Sequence, residues 1–81
     1  MDNRMKLFPV CFETSDGRNW VTTVPAYSNG GAEHKILDVL YSAVKRCQAF
    51  LPNGKDTAIA EELYPNANEI DCVEIYRLMN A

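Results

Sequence analysis

The sequence lacks long apolar runs, paired cysteines and an excess of basic residues, and each absence excludes a class of protein. No apolar stretch approaches the roughly 20 residues that a membrane-spanning helix needs. The amino terminus does not have the pattern of a signal peptide, because Pro9 interrupts its apolar run and no small-residue cleavage site follows. We therefore expect a cytoplasmic protein that makes no contact with a membrane.

The chain also has few residues of the types that carry metal or nucleophilic chemistry. Its three cysteines, Cys11, Cys47 and Cys72, are odd in number and widely spaced, which predicts reduced thiols rather than a disulfide framework. No Cys-x-x-Cys pair indicates a zinc site, and His34 is the only histidine. These observations predict a protein that is not an enzyme and that holds no metal or cofactor.

Composition and charge favour one small folded domain. Eight basic and eleven acidic residues give a net charge of −3, which disfavours direct binding to nucleic acid. The 81 residues, of which 47% are hydrophobic, suffice for one core and are too few for two. We expect a single domain over residues 1–81.

The first third of the chain predicts a β-hairpin. Residues 6–13 alternate apolar with other side chains and indicate a strand, and Pro9, which has no N–H, favours the edge of the sheet. The Asp-Gly pair at 16–17 predicts a two-residue turn, and the β-branched residues of 19–25 predict the returning strand.

The rest of the chain predicts two helices and a last strand. Apolar residues recur at helical spacing from about 32 to 51. Asp56 can cap a short helix over 57–64, which Pro65 ends, and residues 70–78 indicate a strand. The predicted fold class is therefore α+β. It is a two-layer sandwich with a β-hairpin, a long amphipathic helix, a short helix and a third strand, in a mostly antiparallel three-stranded sheet.

One face of this sheet would lack helical cover. A two-residue turn places Phe12 opposite Val21 and directs alternate residues of the second strand to the uncovered face. The residues predicted on that face include Trp20, Thr22, Val24 and Tyr76. Trp and Tyr often anchor protein interfaces, which favours a partner-binding surface. Ordinary core and a homodimer contact remain open as alternatives.

Acidic residues are concentrated near the end of the chain. Between Asp56 and Tyr76 there are six acids and no base, whereas the first 55 residues carry five acids and seven bases. Such a patch can steer a basic partner, although solvated faces of a helix and a strand would give the same pattern. The acids predicted to bind the partner are Glu61, Glu62, Glu69, Asp71 and Glu74.

The aromatic-Pro-x-Ala turn at 64–67, followed by Val73-Glu74-Ile75-Tyr76-Arg77-Leu78, carries a resemblance. It resembles small ββαβ proteins encoded by phages and mobile elements, some of which are inhibitors of host defence systems, including anti-CRISPR proteins. The resemblance covers most of the chain as architecture but only residues 64–78 as sequence, and no functional residue is carried over. It implies a binding protein that acts by occlusion and presents acids to a nucleic-acid-binding target.

The predicted function is that of a small non-catalytic interaction module, an inhibitor or adaptor that binds a protein partner. The predicted contacts are the apolar residues of the uncovered sheet face together with the acidic patch. A homodimeric structural protein and a single-stranded nucleic-acid-binding module, with Trp20 and Tyr76 stacking on bases, are the alternatives.

Overall fold

Four strands and two helices make up the described part of the chain. A computed structural model describes residues 4–40, 43–71, 74, 75 and 77. The elements are β1 (Lys6–Thr14), β2 (Asn19–Ala26), α1 (Asn29–Leu40), β3 (Val44–Ala49), α2 (Gly54–Leu63) and β4 (Asn68–Glu69). The sheet order is β3-β1-β2-β4, with β1 antiparallel to β2 and β3 and with β4 parallel to β2. The α+β class is confirmed, and the sheet is mixed and has one more strand than predicted.

The hairpin between β1 and β2 forms as predicted, but its loop has three residues. The N–H of Thr14 donates to the C=O of Arg18 at 3.0 Å, and the N–H of Gly17 donates to the C=O of Thr14 at 2.9 Å. Gly17 has φ of +85°, the left-handed conformation that ends a three-residue hairpin loop. The predicted two-residue turn is therefore wrong by one residue.

This extra residue reverses the two faces of β2. Phe12 pairs with Trp20 and not with Val21. Since side chains alternate along a strand, a shift of one residue moves every side chain of β2 to the other face. Thr22 and Val24 accordingly join Phe8, Val10 and Phe12 under α1. The prediction that Trp20, Thr22 and Val24 lie on an uncovered face is wrong.

The predicted long helix is two elements. α1 buries Ala32, Ile36 and Leu40, which follow one another at four-residue steps on one side of the helix. The chain then forms β3, which pairs with the outer edge of β1. β1 thus lies inside the sheet, and the prediction that Pro9 marks an edge strand is wrong. The C=O of Pro9 accepts the N–H of Phe50 at 2.8 Å, and because Pro9 has no N–H to donate in return, the β1–β3 ladder ends at this pair.

α2 lies against part of the second face of the sheet, the face that was predicted to lack helical cover. Cys11, Phe50 and Tyr64 form a second buried cluster there. Arg46 of β3 contacts the C-terminal end of α2. Its Nη2 donates to the C=O of Leu63 at 2.6 Å, and its guanidinium lies 4.3 Å from the ring centre of Tyr64. The short helix is confirmed, although its N-cap is Asn53, whose side chain accepts the N–H of Asp56.

The predicted last strand over 70–78 is wrong for the part of it that the structure describes. Only Asn68 and Glu69, just before that range, are paired with β2. Glu74, Ile75 and Arg77 have helical backbone conformation. The predicted contact Tyr76 lies outside the described residues.

Candidate functional site

Three of the predicted acids are brought to one edge of the sheet by two buried isoleucines. Ile70 and Ile75 are 8% and 1% exposed and belong to the core beneath α1. Glu69, Asp71 and Glu74 alternate with these anchors and are exposed. The isoleucines therefore hold this segment against the sheet, while the acids stay at the surface.

Asp71 also shapes the segment that carries it. Its Oδ1 accepts the N–H of Glu74 at 2.8 Å, and its C=O accepts the N–H of Ile75 at 3.0 Å. These are the contacts of a helix N-cap, and the spacing of Asp71 and Glu74 is that of a capping box. The Asp-x-x-Glu pattern at Asp71 and Glu74 is a sequence signal for the start of a helical turn. It favours a turn over the predicted strand.

The acids border a groove at the outer edge of β2, which we call the edge groove. Its volume is about 490 Å³, within the range of roughly 300–1,000 Å³ typical of ligand pockets. It lies between the edge of β2 and the segment that follows β4. Its lining residues are Val21, Thr22, Thr23, Glu69, Ile70, Asp71 and Glu74.

A second groove, the helix groove, lies between α2 and the second face of the sheet. It has a volume of about 620 Å³ and is lined mainly by apolar groups, among them Pro9, Cys11 and Tyr64. Glu61 lines it, and Val21 and Glu69 line both grooves. The two grooves therefore adjoin at Val21 and at Glu69, the last residue of β4.

The charged residues that line the two grooves are all acidic. Four of the five predicted acids line one groove or both, and the fifth, Glu62, is exposed on α2 outside them. Neither groove is lined by a described Lys, Arg or His. Arg77 is the nearest base along the chain, and it is exposed and does not line the edge groove. Clefts lined by charge of one sign concentrate the field and attract ions of the opposite sign.

Trp20 lies away from both grooves, in a hydrogen-bonded network at the tip of the hairpin. Its indole Nε1 donates to Oγ1 of Thr14 at 3.1 Å, and Oγ1 of Thr14 donates to the Asp16 carboxylate. Arg18 completes the network, because its Nε donates to Asp16 at 2.8 Å and its guanidinium lies 5.7 Å from the indole ring centre. Trp20 therefore stabilises the loop of the hairpin through its contacts with Thr14 and Arg18.

The carboxylate of Asp16 makes this network sensitive to acid. Hydrogen bonds from Thr14 and Arg18 lower the pKa of Asp16 from 3.8 to about 2. A carboxylate with a lowered folded-state pKa stabilises the fold above its unfolded pKa, and this contribution is lost as the pH falls toward the folded value. We expect Asp16→Asn to lower the free energy of unfolding at pH 6, with the difference from wild type shrinking between pH 4 and pH 2.

Urea unfolding followed by Trp20 fluorescence at several pH values measures this difference. Asp38→Asn, which removes an exposed carboxylate of α1 outside the network, serves as the control. A difference between wild type and Asp16→Asn that stays constant from pH 6 to pH 2 would contradict the assignment.

The cysteine chemistry of the described residues does not indicate a nucleophile. Cys11 and Cys47 are free thiols. Burial raises the pKa of Cys11, and burial together with the charges of Glu33 and Cys11 raises the pKa of Cys47 to about 12. Both thiols are therefore protonated at neutral pH, and a protonated thiol is a poor nucleophile. Cys72 lies outside the described residues.

Two further properties concern the described residues alone. No group of three or more His, Cys, Asp or Glu residues among them is arranged to hold a metal ion. Neither α1 nor α2 has the length and apolar character that crossing a bilayer requires.

Comparisons with family models, curated proteins and solved structures found no match to this chain.

Proposed function

We propose that this protein is a small non-catalytic binding module, an inhibitor or adaptor, that holds a basic surface of a protein partner at the edge groove. The observation that carries the proposal is the gathering of Glu69, Asp71 and Glu74 around one groove that no described base lines. Partners with clustered Lys and Arg include nucleic-acid-binding proteins, and occlusion of such a surface is what the resemblance to anti-CRISPR-type inhibitors implies.

Electrostatic complementarity supports this function more than the apolar contact first predicted. Thr22 and Val24 are 3% and 2% exposed, so they do not form the open apolar sheet face that was predicted. The exposed acids, by contrast, can speed association and select a basic partner without a large apolar contact. The proposal includes a cytoplasmic location, which the free thiols of Cys11 and Cys47 support.

Binding of a fluorescein-labelled octalysine, measured by fluorescence anisotropy, tests the proposal. The variant Glu69→Gln/Asp71→Asn/Glu74→Gln is expected to bind about tenfold more weakly or worse, because three carboxylates of the edge groove are neutralised. Asparagine is also a good N-cap, so Asp71→Asn keeps the turn that shapes the groove. Affinity of the wild type should fall between 50 and 200 mM salt, since exposed charges are screened.

A matched control removes three negative charges elsewhere. Glu33→Gln/Asp38→Asn/Glu62→Gln has the same net charge as the groove variant and leaves the edge groove intact. Its affinity should stay within about twofold of the wild type at a given salt concentration. Equal losses in the two variants would show that net charge alone attracts the peptide, and the proposed site would be wrong.

Self-association is a second candidate function, favoured by one observation. α2 covers only part of the second face, and at the far end Leu7, which is 62% exposed, lies opposite the exposed Pro25. A second copy of the chain could cover these apolar side chains, and contiguous exposed apolar patches mark interaction sites. Light scattering coupled to size-exclusion chromatography decides it: a dimer mass that Leu7→Ser returns to a monomer mass supports self-association.

A further inference from the structure

We propose that the partner enters the edge groove as an extended basic segment that adds to β2 at Thr23 and places a lysine or arginine side chain against the hydroxyl of Thr22. This inference rests on the proposed function and names its partner class. Three features carry it: an open position on the sheet edge, a buried hydroxyl without a described partner, and a lining that holds only negative charge.

Among the described residues, the outer edge of β2 has no partner strand at one position, Thr23. β4 pairs with β2 at Trp20 and Val21, and no described strand continues beyond them. The C=O of Val21 accepts the N–H of Ile70 at 3.0 Å, so alternate residues of β2 direct their backbone groups toward this edge. The next of these is Thr23, which is exposed and lines the edge groove. Its N–H and C=O therefore offer one donor and one acceptor to an added strand.

The edge is closed immediately beyond Thr23. Pro25, the next residue of the same alternation, has no N–H, and its C=O already accepts a hydrogen bond from Nζ of Lys35. Prolines and charged groups on an edge strand prevent unwanted strand pairing. The opening is therefore too short for the sheet edge of another domain, and it suits a short extended segment.

Thr22 supplies the second feature. It is 3% exposed and lines the edge groove, but its hydroxyl forms no hydrogen bond with another described residue. No fully enclosed side-chain oxygen or nitrogen of the described residues lacks a partner, so this hydroxyl keeps contact with solvent, and the edge groove supplies the opening. The lone pairs of this hydroxyl can therefore accept a hydrogen bond from a cationic group that enters the groove.

The charge of the lining selects the side chain that fills the groove. Glu69, Asp71 and Glu74 contribute only acceptors when they are ionised. A lysine ammonium has three donors and an arginine guanidinium has five, and neither accepts. A basic side chain entering beside the added strand would therefore satisfy the Thr22 hydroxyl and the carboxylates together.

Two labelled octapeptides of equal charge test this inference. One alternates lysine and valine, and the other has the same residues with every backbone nitrogen methylated, which removes its N–H donors. Wild-type protein should bind the unmethylated peptide about tenfold more tightly, because only that peptide donates to the C=O of Thr23.

Three single variants separate the contacts. Thr23→Pro removes the outward N–H without breaking the β1–β2 ladder and should weaken the unmethylated peptide about three- to tenfold, whereas Thr23→Val should bind like the wild type. Thr22→Val, which removes only the hydroxyl from a side chain of the same shape, should weaken both peptides about three- to tenfold.

Equal affinity for the two peptides, together with unchanged binding by Thr23→Pro, would overturn strand addition. If the groove variant then still lost affinity for octalysine, the proposed function would stand without this binding mode. Failure of octalysine and both octapeptides to bind would overturn the proposed function itself. Should Thr23→Pro not fold by circular dichroism, the comparison of the two peptides on the wild-type protein decides the question.

Discussion

Ile75→Ala is expected to lower the free energy of unfolding by about 2–5 kcal/mol, the cost of removing a buried isoleucine and leaving a cavity. Ile75 is 1% exposed and is among the largest fully buried side chains. It packs in the cluster of Val24 and Ile36 and anchors the segment that carries Glu74. Loss of this anchor should also weaken octalysine binding, because Glu74 would no longer be held at the edge groove.

Denaturant unfolding of Ile75→Ala and Ile59→Ala side by side measures the effect. Ile59→Ala is the same substitution on α2, at a residue that is 39% exposed. It should lower the free energy of unfolding by less than about 1 kcal/mol. If Ile75→Ala does not fold, Ile75→Val, with an expected cost of about 0.5–1.5 kcal/mol, replaces it. Equal costs for the two alanine variants would mean that the segment after Asp71 is not part of the core.

Tyr64→Ala is expected to cost about 3–5 kcal/mol, as for other large buried aromatic residues. Tyr64 is 3% exposed, and its ring meets that of Phe50 edge to face with the centres 6.3 Å apart. The guanidinium of Arg46 also lies over this ring, 4.3 Å from its centre, which adds a cation–π contact. Removal of this ring takes away the main contact between α2 and the second face of the sheet.

Tyr27→Ala is the matched control, since Tyr27 is 67% exposed and its replacement should change stability by less than about 0.5 kcal/mol. Both variants are compared by thermal and urea unfolding. A small cost at Tyr64, similar to that at Tyr27, would contradict the packing of α2 against the second face.

The register of the hairpin shows why the site could be predicted only in part. The Asp-Gly pair at 16–17 identifies a turn correctly, but two- and three-residue loops are both compatible with it. The choice between them decides on which face Trp20 lies, and the backbone conformation of Gly17 settles it. The acids could be predicted more securely, because their charge keeps them at the surface whatever the register.

The segment from Ala43 to Phe50 shows a second limit. Ala43, Cys47 and Phe50 continue the spacing of Ile36 and Leu40, and this spacing predicted one long helix. A short run with few apolar residues satisfies both a helical and a strand period. The structure has a strand here, because pairing with β1 satisfies the backbone groups on the outer edge of β1 that a longer helix would leave without a partner strand.

By itself the sequence determined the local features of this protein. These are the hairpin, the first half of the long helix, the short helix ended by Pro65, and an acidic C-terminal third, all of which depend on neighbouring residues and on charge. Only the tertiary structure decided four features: which face of the sheet each β2 side chain lies on, the pairing of β3 and β4, the packing of α2 against part of the second face, and the position of three acids around one groove. The physical reason is that strand pairing and face coverage depend on residues far apart in the chain, whose contacts no local pattern encodes.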